Sequence, residues 1–362
     1  MRSLACSSPP AARHAPPPNL LRSSDGPGLR VSSPARAQSR TIQVRSFACS
    51  SPPTAHLAGH PKLHRPIGGS GLGWGIQSAI LREVVTPPAL VFANFLAPNM
   101  TPAYAYVAER VGTLLGRGGV LANTADEEAL VGGHVDVAFL CGLPYVRLAA
   151  RPDPPIRAIA APVVNQHRYD GRPIYFSDVI VRRNGPVAKF PDLRDRVWAH
   201  TQPTSFSGCV LTRYHLLQLG ETERFFGRVM YSGSHLASMQ AVLAGKVDAS
   251  AIDSHVLGVE LKRRPALASE IRVIQVLGPS TIPPVVVSSK LPADVQTAIR
   301  EALCGLNGED GARERLAEGL IERFVPVGDS DYDDIRRKSE VVASAHTAWL
   351  ASAPRGEESA AG

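Results

Sequence analysis

From Ala89 to Ile252 short apolar runs alternate with stretches of helical period, and few architectures satisfy that alternation. Ala89-Leu-Val-Phe-Ala-Asn94 reads as a buried strand. Thr101 and Pro102 then supply an N-cap and a first-turn proline, and Tyr104, Val107, Val111 and Leu114 follow at helical spacing. Gly116, Gly118 and Gly119 end that helix. Thr124-Ala-Asp-Glu127 has the form of a capping box before a short helix that closes at Gly132-Gly133. Val135–Leu140, Ile156–Val164, Tyr175–Val181, Val197–His200, Arg228–Tyr231 and Asp248–Ile252 follow as strands. Such alternation predicts an α/β body with mostly parallel sheets. Beyond Lys290 the pattern turns helical: Val295, Ile299, Ala302 and Leu303 share a face, and a last helix is expected from about Tyr332 to Trp349.

Charge divides the chain where the texture does. The 362 residues carry 39 Lys+Arg against 32 Asp+Glu, a net +7. Residues 1–87 hold ten of the bases and only Asp25 and Glu83, so the head carries +8 and the remainder −1. The basic balance is therefore no sign of a nucleic-acid surface on the body. The head is rich in Pro, Ser, Ala and Arg, a composition that buries too little apolar surface to order itself, so disorder is expected over 1–87. Arg2-Ser-Leu-Ala-Cys-Ser-Ser-Pro-Pro10 recurs as Arg45-Ser-Phe-Ala-Cys-Ser-Ser-Pro-Pro53, one pair and no solenoid. Three readings of the head stay open: an organellar transit peptide, a disordered basic arm, or a translation start assigned too far upstream. Leu20-Leu21 and Ala79-Ile80-Leu81 are too short for a secretory apolar core, which leaves the compartment undetermined. No run approaches 18 apolar residues, so no membrane-spanning helix is expected. Five Cys without a CxxC pair indicate neither a disulfide scaffold nor a zinc ribbon.

Catalytic motifs are scarce. The chain has no HExxH, GxSxG or GxxxxGK[ST], and Gly69-Ser-Gly-Leu-Gly73 has no strand before it. Cys141 and Cys209 read as inert core thiols, and His200, His235 and His255 as polar or capping residues rather than a metal set. No catalytic residue, metal ligand or cofactor is assigned. Two strand-to-helix junctions carry more information. Thr201-Gln-Pro-Thr-Ser205-Phe-Ser207-Gly208 leaves one strand and enters a helix bearing Val210, Tyr214 and Leu217. Met230-Tyr-Ser-Gly-Ser234-His235 leaves the next and precedes Leu236, Met239 and Leu243. Free N–H groups, a helix dipole and hydroxyls make each an anion cradle. An ordinary serine cap would explain each one taken singly. Parallel strands, however, bring both to one sheet edge, where ligands of α/β proteins bind.

These residues resemble, in order, the motifs of the substrate-binding proteins of phosphate, phosphite and phosphonate ABC importers. The likeness runs through Val135-Asp-Val-Ala-Phe-Leu-Cys-Gly-Leu-Pro-Tyr145, Tyr175–Val181 with Phe190-Pro-Asp-Leu193, Ser205-Phe-Ser-Gly208, Tyr231-Ser-Gly-Ser-His235 with Val247-Asp248-Ala249, and Ser280-Thr-Ile-Pro283. The resemblance implies a bilobal type II periplasmic-binding-protein fold, two α/β lobes joined by two crossover strands. It places the first lobe over 88–183 and 281–345, the second over 184–280, a tail over 346–362, and the crossovers near Val179–Arg183 and Ile282–Val286. It implies that Ser205 and Ser207 bond phosphoryl oxygens, that the Gly208 amide sits at the helix start, and that His235 faces the same group. Phe206, Ser234, Asp253, Met100, Thr101 and Leu140 complete the ligand-binding set it suggests. Departures bear on specificity. Phe206 stands where a threonine is frequent, Ala125 and Leu140 stand where aminophosphonate binders carry tyrosines, and no acid stands at the matching positions near His255 and in Ile282-Pro-Pro-Val285 to hold an amine, with Asp253 open as either a replacement carboxylate or a structural cap. The expected protein is thus a monomeric solute-binding protein for a small phosphorus oxyanion, partnered by ABC permease subunits. The alternative is a cytosolic enzyme on the same fold, such as the chorismate dehydratases and thiamin-pyrimidine synthases, or a ligand sensor.

Overall fold

The computed structural model describes residues 87–122 and 125–352. The expected disorder of the head, except at Pro87, and Thr124 of the expected capping box lie outside that range, as do residues 353–362. Among the described residues the strands are β1 (Leu90–Asn94), β2 (Gly119–Leu121), β3 (Val137–Phe139), β4 (Ile156–Val164), β5 (Ile174–Arg182) and β6 (Val197–His200). β7 (Arg228–Tyr231), β8 (Ala249–Asp253), β9 (Ile271–Thr281), β10 (Val285–Ser288) and β11 (Ile321–Pro326) complete them. The helices are α1 (Thr101–Leu114), α2 (Glu127–Gly132), α3 (Gly142–Ala149), α4 (Leu211–Gln218) and α5 (His235–Leu243). They continue as α6 (Ser254–Arg263), α7 (Leu267–Glu270), α8 (Ala293–Gly305), α9 (Ala312–Glu318) and α10 (Asp333–Ser352).

Two sheets define two α/β lobes. The first has the order β11-β4-β10-β3-β1-β2 and the second β7-β6-β8-β5-β9. Both are mixed rather than mostly parallel. Strands joined by helices are parallel, as in β1–β2, β1–β3, β6–β7 and β6–β8. β10, returning from the second sheet, enters the first between β3 and β4 antiparallel to both, and β5 lies antiparallel to β8 and β9. The alternation in the sequence reports only the helix-linked pairs. It also missed β11 (Ile321–Pro326), a strand inside a stretch that reads as helical.

Sheet membership changes between β4 and β5 and again between β9 and β10. Val179–Arg183, expected as a crossover, is instead the end of β5, with Val179, Ile180 and Val181 paired to both β8 and β9. Residues 174–183 therefore belong with the second sheet. An apolar run buried on both faces fits either sheet, and the sequence alone does not choose. The tail expected from 346 likewise begins inside α10, whose backbone is helical to Ser352.

Packing fixes the first lobe closely. Tyr104 of α1 stacks on Phe139 of β3 with ring centroids 3.7 Å apart. Gly112 of α1 abuts the start of β2: a Cβ there would sit 2.3 Å from the amide nitrogen of Gly119. In the second lobe Trp198 of β6 stacks on Phe226 at 4.6 Å, and Phe190 packs on Phe225 at 5.7 Å. This aromatic floor holds β6, whose final residue His200 pairs in register with Tyr231 at the end of β7. β8 runs parallel beside β6 and ends at Asp253. Three strand-to-helix junctions consequently open on one edge of the sheet.

Candidate functional site

The β6 junction is built around Ser205. It caps a π-helical turn, Phe206–Val210, that leads into α4, and its Oγ accepts the Gly208 amide at 3.0 Å. The Gly208 N–H, expected to be offered at the helix start, is thus already used, while the Ser205 hydroxyl keeps its own proton to donate. Only glycine fits at 208: a Cβ would lie 2.1 Å from Thr201 Oγ1 and 2.9 Å from Ser205 Oγ. Thr201 donates its amide to the Gly208 carbonyl at 3.2 Å and accepts the Gly233 amide at 2.9 Å, so it ties this loop to the β7 junction. Ser177 of β5 holds the loop from behind through its hydroxyl to the Ser207 carbonyl, 2.6 Å.

At the β7 junction Ser234 caps α5 by accepting the Ala237 amide at 3.1 Å. His235 begins that helix. Its Nδ1 accepts the Asp253 amide at 3.3 Å, and its Nε2 lies 3.3 Å from Ser207 Oγ. An acceptor at Nδ1 puts the proton of the neutral ring on Nε2, which then donates to Ser207. Burial pulls His235 down to about 4, so the ring is neutral at neutral pH. The Ser207 hydroxyl, its lone pair occupied, is left as a donor to the cleft.

The third junction carries Asp253, whose Oδ1 accepts the amides of His255 (2.8 Å) and Val256 (3.2 Å) and caps α6. Burial pushes Asp253 up to about 7 against those two bonds, and the charge of Asp178 adds to the rise. Burial likewise brings His255 down to about 4; its Nε2 donates to the Gly319 carbonyl of the first lobe at 2.6 Å. Across the same gap Asn99 donates to the Val256 carbonyl at 3.2 Å.

Between the lobes lies a cavity of about 170 Å³. Thr201, Gln202, Ser205, Ser207, Ser234 and His235 form its hydroxyl-rich wall, and Phe95, Leu96, Met100, Tyr104, Pro144 and Pro162 an apolar wall from the first lobe. No Lys or Arg among the described residues lines it. A larger hollow of about 510 Å³ lies between α4, β7 and α10. Arg213, Arg224 and Arg228 line it together with Glu221 and Glu223, and Arg213 pairs with Glu223 at 2.8 Å.

Of the residues suggested by sequence, Ser205, Ser207, Ser234, His235, Asp253 and Met100 meet at this cavity. Phe206, Gly208, Thr101 and Leu140 do not line it. Phe206 is fully buried in the core, so the position contributes no donor. Leu140 is buried at 4% exposure beside β3, and its neighbour Cys141 faces the cleft instead. Thr101 is exposed and accepts from Asn94 Nδ2 at 3.3 Å. It is the first helical residue rather than the N-cap, because a 3₁₀ turn over Pro98–Met100 runs straight into α1 and leaves Met100 at the cap position. Asp126 caps α2, accepting the Ala129 amide at 2.8 Å. Sequence reasoning left Thr201 out of the site. Its hydroxyl, on a residue 2% exposed in the cavity wall, has no hydrogen-bond partner among the described residues. The available signal was its place at the head of the same Ser/Thr loop, one residue past the strand.

Known proteins share this fold. A binding protein component of an ABC phosphonate transporter from Pseudomonas aeruginosa is 16% identical with a TM-score of 0.63, covering 73% of this chain and 89% of that one. PhnD1 of Prochlorococcus marinus, solved in complex with methylphosphonate, is 18% identical with a TM-score of 0.62 over 71% of this chain and 98% of its own. A Xanthomonas citri protein solved with a chloride ion is 20% identical at a TM-score of 0.52, with 71% and 98% covered. These likenesses establish the type II bilobal fold. The family model for the periplasmic substrate-binding proteins of phosphonate ABC transporters matches residues 94–332, and the chain belongs to that family.

Proposed function

We propose that the interlobe cavity binds a small phosphorus oxyanion, with an alkyl phosphonate matching both walls, and that the protein delivers it to an ABC importer as a binding protein and not a catalyst. The hydroxyl wall meets the phosphoryl oxygens and the apolar wall meets the substituent on phosphorus. One observation carries the reading. His235 is pinned at Nδ1 and donates from Nε2 to Ser207, so a neutral side-chain pair presents a fixed donor to an anion. Neutral donors suffice in a closed cleft, because pre-oriented hydrogen bonds replace those lost from water without a further ordering cost. The cavity of about 170 Å³ suits a ligand of a few heavy atoms. The enzyme and sensor alternatives have no observation in their favour.

The test is calorimetry of the wild type, Ser205→Ala and Ser207→Ala with phosphate, phosphite and methylphosphonate. Each variant is expected to bind about 10–150-fold more weakly, the loss of one charge-assisted hydrogen bond. Equal binding by wild type and both variants would place the anion elsewhere.

A further inference from the structure

The loop that carries Ser205 and Ser207 is closed at its base by a backbone bond from the Thr201 amide to the Gly208 carbonyl, 3.2 Å. A second group stands at the same carbonyl. His200, the last residue of β6 and fully buried, holds its Nδ1 3.2 Å from that oxygen and 3.1 Å from Trp198 Nε1. The two neighbours make opposite demands. The indole N–H only donates and the carbonyl only accepts, so Nδ1 serves one of them and not both. On the far side of the ring, Nε2 lies 2.9 Å from Glu223 Oε1.

Glu223 makes the choice. Burial pushes its carboxyl up, but hydrogen bonds from His200 and Arg213 bring it down to about 2, so at neutral pH it is a carboxylate and only accepts. Arg213 of α4 fixes it with bonds of 2.8 and 3.1 Å to its two oxygens. A further bond of 3.0 Å ties Arg213 to Tyr231 Oη at the end of β7. A carboxylate at Nε2 puts the ring proton on that nitrogen. Nδ1 is then a lone pair, which takes the Trp198 N–H and offers the Gly208 carbonyl nothing. Any form of the ring with a proton on Nδ1 would draw that carbonyl onto a second donor, weaken its bond to Thr201, and leave the fully buried Trp198 N–H without a partner.

We propose that Glu223 and Arg213, which line the larger hollow and not the cleft, are positioning residues for the anion: by setting the tautomer of His200 they reserve the Gly208 carbonyl for Thr201 and keep the serine loop closed. The proposal rests on the phosphorus-oxyanion reading above. The contacts run from Arg213 through Glu223, His200 and Gly208 to Thr201, and so from α4 to the cavity wall. Thr201, whose buried hydroxyl lacks a partner among the described residues, is held at the wall by the last of them. The sign of the effect is distinctive. Glu223 is a negative charge behind an anion site, so through space alone its removal should strengthen anion binding. Loss of positioning weakens it.

The experiment joins two readouts on the full chain at neutral pH, well below the melting transition. Nitrogen-15 NMR of the imidazoles reads the His200 tautomer, its signal assigned as the one missing from His200→Phe. Calorimetry with phosphate, phosphite and methylphosphonate reads affinity. The wild type should carry the proton on Nε2 and none on Nδ1. Glu223→Gln, whose amide offers an N–H to Nε2, should move part of the His200 population to the Nδ1–H form. It should also bind the best of the three probes about three- to tenfold more weakly. Glu221→Gln, in the same hollow but paired with Arg194, should leave both readouts unchanged. A wild-type ring protonated on Nδ1 would overturn the proposal without any variant. So would a Glu223→Gln protein that binds as tightly as wild type or tighter, or one that binds more weakly with the tautomer unmoved. Each of these leaves the phosphorus reading standing. Failure of the wild type to bind any of the three probes would sink both readings.

Discussion

Ser207 and His235 stand 28 residues apart on successive strand-to-helix junctions, yet Ser207 Oγ and His235 Nε2 are 3.3 Å from each other. The meeting follows from the parallel register of β6 and β7, which ends both strands at one level. The Asp253 amide completes the chain, so each donor in it has one direction open. His235→Gln should preserve α5 but lose this direction, because a side-chain amide rotates to suit either partner. Anion affinity should drop by about tenfold or more with little change in melting temperature. Thermal melts beside binding isotherms would check it.

Thr201 offers a cleaner separation of fold from function. Its hydroxyl is buried without a partner, so Thr201→Val removes an unsatisfied polar group and keeps the shape. Stability should hold or rise by a few tenths to about 1 kcal/mol, while affinity should fall about fivefold to fiftyfold if the hydroxyl serves the ligand. Denaturant midpoints and calorimetry read the two effects apart. Unchanged affinity would remove Thr201 from the site.

Gly208 is held by crowding rather than by an unusual backbone. Gly208→Ala would press a methyl into Thr201 Oγ1 and Cγ2, at 2.1 and 2.6 Å. A cost of about 1–3 kcal/mol is expected from overpacking. Adding Thr201→Ala removes both clashing atoms and should restore part of the loss. A double-mutant cycle in urea measures that coupling.

Acid should act through three buried groups of the cleft with opposite signs. His235 and His255 have folded values near 4 against an ordinary 6.5, so their contribution is present above about 6.5 and lost as pH falls through 4. Asp253, raised to about 7 from 3.8, contributes fully below about 3.8 and loses that contribution as pH rises through 7. Asp253→Asn should therefore make the unliganded protein lose stability more steeply than wild type between pH 6.5 and 4. Denaturant titrations across that range decide it.

Glu223 supplies a second pH-dependent contact, outside the cleft. Burial pushes it up, but hydrogen bonds from His200 (2.9 Å) and Arg213 (2.8 Å) outweigh that and bring it down to about 2 from 4.5. Its contribution is present above about 4.5 and disappears as pH falls through 2. Glu223→Gln should be less stable at pH 7 and show a shallower acid slope below pH 4.5, followed by circular dichroism.

Much of this arrangement is legible in the chain. The strands Ile156–Val164, Val197–His200 and Arg228–Tyr231 coincide with their apolar runs, because buried strands are short and bounded by turn residues. The Ser205–Ser207 and Ser234–His235 junctions are readable because capping chemistry is local. What was not readable depends on the other lobe or on returning strands. The sheet that claims β5 is decided by β8 and β9, far along the chain, and the inner face of Phe206 is decided by the core it enters. Leu140 and Cys141 are adjacent in a strand-end loop, and only tertiary packing says which one reaches the cleft.

α10 leaves the first lobe and does not stay with it. Ile335 near its start lies against Gly142 of α3, Lys338 one turn on bonds Ser280 Oγ at 2.7 Å, and Val342 reaches the hollow beside Leu216 of α4. A rigid rod fastened to both halves admits little scissoring. Any movement of one lobe against the other has to be taken up along that helix, because its contacts belong to both. The grip on one C-terminal helix thus becomes a handle on ligand release, and substitutions at Val342, well removed from the proposed anion site, should change the residence time of a bound ligand.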